Sequence, residues 1–89
     1  MQKIDLVQDV WTEVFTNVTS QNFHLINYPD KARARGYKIH YGSIMPSDDT
    51  DIFIFYSMRA QSEILVTLNN TIATNIYIMP IYDDGKIIF

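Results

Sequence analysis

Apolar residues near the start of the chain recur with a helical rhythm. Ile4, Val7, Trp11, Val14 and Val18 stand 3, 4, 3 and 4 positions apart, and Val10 and Phe15 widen the stripe. That spacing predicts an amphipathic helix whose apolar side covers about a third of its circumference. Asp5 and Asp9 fall in its first turns, where the helix dipole favours negative charge. The polar run Thr19-Ser20-Gln21-Asn22 ends it. Valine has modest helix propensity, so such a helix must be held by packing on a sheet.

The rest of the chain alternates between strand patterns and turn signals. Residues 23–28 read as a strand stopped by Pro29. Residues 29–36 form either about two helical turns, opened by Pro29 and closed by Gly36, or a basic hairpin loop. Tyr37, Ile39 and Tyr41 alternate with Lys38 and His40, which marks residues 37–44 as a half-exposed strand. A turn at residues 46–50 follows. Residues 51–58, with Ile52, Phe53, Ile54, Phe55 and Tyr56 in succession, are apolar on both faces and predict a central, doubly covered strand.

Residues 59–73 fit two periods. Ala60, Ile64, Leu68 and Ile72 lie four apart, as on a helix, while Ile64, Val66 and Leu68 alternate as in a strand. Helix is the preferred reading, because a doubly buried central strand needs something to cover its second side. Residues 75–82 form the next strand, which Pro80 pushes towards an edge or a bulge. Asp83-Asp84-Gly85 signals a tight turn, and residues 86–89 return as a short final strand. The expectation is one α+β domain over residues 1–89, in the order α-β-β-β-α-β-β. Its N-terminal amphipathic helix packs on a mixed, mostly antiparallel sheet.

Composition narrows the class. An apolar fraction of 47% and an aromatic fraction of 13% belong to a folded domain. Eighty-nine residues support a single small core of marginal stability, which disulfides, metals or a partner chain usually supplement. With no cysteine, disulfides and thiolate metal sites are excluded, leaving association, for instance as a homodimer. The wealth of isoleucine, asparagine, tyrosine and phenylalanine is what AT-rich coding produces, an association that fits a virus or mobile element. A net charge of −3 argues against whole-surface attraction to nucleic acid or anionic membrane. No apolar run reaches the roughly 18–20 residues of a membrane helix, and the N-terminal residues lack a signal-peptide core. The expected location is the cytoplasm of the producing or host cell. Two glycosylation sequons, at Asn17 and Asn69, then read as chance.

Little of the chemistry points to catalysis. His24 and His40 each sit mid-strand, and Ser43, Ser57 and Ser62 have no nucleophile-elbow glycines around them. Gly36, Gly42 and Gly85 are scattered, so no phosphate loop is present and no cofactor is expected. Asp48, Asp49 and Asp51 make a short acidic run, but a calcium loop needs more oxygen ligands and a glycine turn, so a solvated connector explains it. No metal site is expected. With Asp5, Asp9, Glu13, Asp83 and Asp84, these acids would make a phosphate-like face if they lay together.

Three binding surfaces remain. Lys31, Arg33, Arg35 and Lys38, flanked by Tyr28, Tyr37 and Tyr41, suit unpaired nucleic acid, against the simpler reading of a solvated loop. The acidic turn at Asp48, Asp49 and Asp51 is a second candidate. The third is residues 75–89. Met45, Tyr56, Met58, Tyr77, Met79 and Tyr82 are more than a two-faced sheet turns inward, and Ile87 and Phe89 end the chain on an apolar strand. Tyr77, Met79, Tyr82, Ile87 and Phe89 are therefore partner-contact candidates, against the reading of an ordinary core. The function expected is a non-enzymatic binding protein, a regulator or inhibitor that occupies a partner macromolecule stoichiometrically. Nucleic-acid binding through residues 31–38 and a structural role in a virion or other assembly are the alternatives.

Overall fold

The computed structural model describes residues 2–26, 36–47, 52–58 and 63–89. These form six antiparallel strands and no helix: β1 (Lys3–Leu6), β2 (Thr12–Ile26), β3 (Gly36–Gly42), β4 (Ile54–Ser57), β5 (Glu63–Ile81) and β6 (Gly85–Ile88). They make one curled sheet, a half-barrel, in the order β1-β6-β2-β5-β3-β4. The α+β expectation is therefore wrong. Where a helix was expected at residues 4–18, β1 and the first half of β2 stand.

Bulges explain the misleading rhythm. A regular strand buries every second residue, but each bulge inserts an extra one and resets the alternation. The β2–β5 ladder shifts register between Glu13 and Phe15, between Phe15 and Val18, and between Val18 and Ser20. Across those shifts the inward residues of β2 recur at Val14, Phe15 and Val18, close to a helical period. Asn17 takes a left-handed φ of 56° in this stretch, and its N–H donates to Asn75 Oδ1 at 2.8 Å. Asparagine tolerates that backbone better than most residues.

The second expected helix is also a strand. Residues 63–73 belong to β5, with Val66 and Leu68 buried and Leu65 and Ile72 exposed. The stretch 51–58, expected at the centre of the sheet, instead yields β4 at its edge. On the outer side of β3, Phe55 lies across Gly36 while Trp11 and Tyr77 flank His40. Pro80 lies in an interior strand opposite Tyr37. Its position is tolerated because β2 has already ended beside it, and the Pro80 carbonyl accepts instead from the Asp9 N–H of the β1–β2 connection, at 2.9 Å.

The long β2–β5 ladder is the spine. One half carries β6 and β1 beside the end of β2; the other carries β3 and β4 beside the end of β5. Curling brings their inner faces together around Phe23, Leu25, Tyr37, Ile39, Ile76, Ile78 and Ile87, all fully buried. Tyr37 ties the halves. Its hydroxyl, starting from β3, donates to the Ile26 carbonyl at 2.8 Å and accepts from the Lys86 N–H at 3.2 Å. Gly85 makes room for that ring, since a Cβ there would overlap it.

Candidate interaction surfaces

On β3, even-numbered residues point away from the core. Gly36, Lys38 and His40 pair with Ile81, Met79 and Tyr77 of β5, and Lys38 pairs with Phe55 of β4. The outer face there carries a second aromatic cluster. His40 lies 6.4 Å from Trp11 and 6.1 Å from Tyr77 between ring centroids, and both neighbours are buried. The His40 Nδ1–H donates to the Ile52 carbonyl at 2.7 Å, fixing the chain as it enters β4. The Lys38 ammonium sits 4.6 Å from the centre of the Phe53 ring, a cation–π contact. Phe55 lies across Gly36, where a Cβ would come 2.5 Å from its ring.

These contacts set up an apolar edge. β4 pairs with β3 on one side through four residue pairs, and among the described residues no strand pairs with its other side. Residues 52–58 carry no charge. Ile52 is 75% exposed, Ile54 45% and Phe55 47%, and Ile44 and Met45, just past the end of β3, are exposed as well. A groove of about 170 Å³ runs between β3 and the start of β4, lined by Ile39, His40, Tyr41, Ile52, Phe53 and Ile54. It is smaller than the roughly 300–1,000 Å³ of small-molecule sites.

The residues singled out from sequence fall unevenly. Tyr77 and Ile87 are buried, Tyr77 in the outer aromatic cluster and Ile87 in the core. Phe89 packs edge-on against Phe15 at 4.9 Å, Met79 is half-buried, and Tyr82 is exposed. Residues 75–89 do not form a hairpin, because β6 pairs with β1 and β2, across the sheet from β3. β6 is thus no edge: Phe89 and Gln2 exchange backbone hydrogen bonds of 2.7 and 2.9 Å. Lys38 is engaged with Phe53, and Lys31, Arg33 and Arg35 lie outside the described residues, as do Asp48, Asp49 and Asp51.

The two histidines occupy separate surroundings. His24 contacts the Glu63 carboxylate where β2 meets β5, while His40 serves the aromatic cluster. Among the described residues no group of three or more His, Asp or Glu side chains stands where it would hold a metal ion. No helix of the described residues is long and apolar enough to cross a membrane. Sequence reading passed over β4 as an edge and missed the Trp11–His40–Tyr77 cluster. The signal within reach was the absence of any charge from residue 52 to 58. No protein-family model matches the chain, and the searches of curated proteins and of solved structures likewise found no match.

Proposed function

We propose that this chain is a small non-enzymatic binding protein that occupies a partner polypeptide stoichiometrically, along the open edge of β4. One observation carries the reading: an uncharged apolar strand stands at a sheet edge with Ile52, Ile54 and Phe55 exposed around it. Alternate residues of an antiparallel strand turn their N–H and C=O groups to opposite sides, so half of β4 offers them outward. A partner strand added there gains affinity from main-chain hydrogen bonds and specificity from side-chain contacts at alternate positions. Regulation or inhibition in the cytoplasm of the producing or host cell, from a virus or mobile element, suits a small cysteine-free chain.

Affinity capture from the native host tests the reading, using the wild type, a Phe55→Lys variant and a Val7→Lys control at the far end of the sheet. The expected result is one polypeptide held in near-equimolar amount by wild type and control and lost from Phe55→Lys. Identical capture by all three, or an empty capture from all three, would count against it.

A further inference from the structure

We infer that the polypeptide occupying the β4 edge is a second copy of this chain, paired antiparallel to the first across a two-fold axis. The inference rests on the reading of β4 as an open edge, and comparison of the two sheet edges carries it further. β1, at one end, exposes Lys3 and Asp5, whose charged groups lie 4.0 Å apart. The connection beyond it is tied down, with the Gln8 N–H donating to Asp84 Oδ1 at 2.7 Å and the Asp9 N–H to the Pro80 carbonyl at 2.9 Å. Charges on an edge strand are a common guard against unwanted pairing. β4, at the other end, has none.

That lack of charge suits one partner above others. In an isologous pair every β4 residue meets β4 residues of the copy, and a charge close to the axis would lie beside its own sign. Ile54, Phe55, Tyr56 and Ser57 meet no such penalty. A four-residue strand with half its backbone groups outward supports about four hydrogen bonds in the pair. The Phe55 ring, resting on Gly36, is already positioned, which lowers the ordering cost of association.

The area sets an upper limit. Ile44, Met45, Ile52, Ile54 and Phe55 are between 45% and 78% exposed. Covered in full, they would contribute at most roughly 600 Å² per copy and about 1,200 Å² in a pair, which reaches the lower end of stable interfaces.

Three measurements on the whole chain test the proposal: sedimentation up to about 1 mM, amide exchange at Ile54–Ser57, and single cysteines placed in turn at those positions. The chain has no cysteine of its own, so any disulfide reports the new site. The expected results are a monomer–dimer equilibrium, β4 amides protected only as the dimer forms, and cross-linking that peaks at one β4 position nearest the axis. Phe55→Lys should weaken the dimer at least about tenfold, while Val7→Lys leaves it unchanged. If Phe55→Lys fails to fold, cross-linking in the other backgrounds decides. A monomer at the highest concentration with freely exchanging β4 amides overturns the second copy and leaves strand addition by another partner standing. Protection of β4 in the dilute monomer overturns both. A dimer that cross-links elsewhere, or oligomers larger than two, overturns the two-fold pairing.

Discussion

Tyr41 shows how a single residue reports the fold. It faces inward on β3 opposite Ile76, half-buried against the core. Burial, with a smaller contribution from the Tyr56 phenol, raises its hydroxyl pKa above the ordinary 10.0. The folded chain therefore keeps this proton more tightly than the unfolded chain. Its contribution to stability is fully present below pH 10 and is lost as pH rises through the folded pKa. Urea unfolding of wild type and Tyr41→Phe should show parallel stabilities up to about pH 9 and a shallower alkaline decline for the variant above about pH 10. At this scale sequence was partly legible: the alternation of Tyr37, Ile39 and Tyr41 against Lys38 and His40 matches their inward and outward directions. The neighbours of His40 were not legible, because Trp11 and Tyr77 reach it from segments far apart in sequence.

Among elements, the bulged ladder is the instructive case. β2 and the start of β5 are rich in β-branched residues: Thr12, Val14, Thr16, Val18, Thr19, Ile64, Val66 and Thr67. Composition favoured strands, yet periodicity favoured helices. A spacing of four is also two strand repeats, so Ile64 and Leu68 fit both. What separates the readings is whether Leu65, beside that series, is covered, and it is exposed. The elements are held in their curl by contacts such as the Tyr37 hydroxyl, which joins β3 to the ends of β2 and β6. Tyr37→Phe removes both bonds inside a fully buried site and should cost about 1–3 kcal/mol in urea unfolding. A loss below about 0.5 kcal/mol, the low end for one net bond, would show that the curl does not depend on this tie.

For the whole molecule, unequal edges matter most. The β1 end is charged and tied to its neighbours, while β4 is apolar and, among the described residues, has no strand on its outer side. Association through β4 rests on backbone pairing and apolar contact, so ionic strength should affect it little. Each copy carries a net −3, whose repulsion salt screens. The dimer constant should change by less than about threefold between roughly 50 and 500 mM salt, with any change towards tighter binding. A four-cation phosphate site of the kind expected at residues 31–38 would weaken by roughly a thousandfold over the same range. Sedimentation at the two salt concentrations separates these behaviours.

By itself, the sequence determined that the chain has no thiol chemistry, and it located β3, β4, β6, the end of β2 and the end of β5 as strand, because composition and local alternation act over a few residues. The tertiary structure alone decided that residues 4–6 and 12–18 are strand, that β4 is an edge and that β6 is interior. Bulges and strand order depend on which distant segment lies alongside, and a residue's own neighbours in the chain carry no record of that.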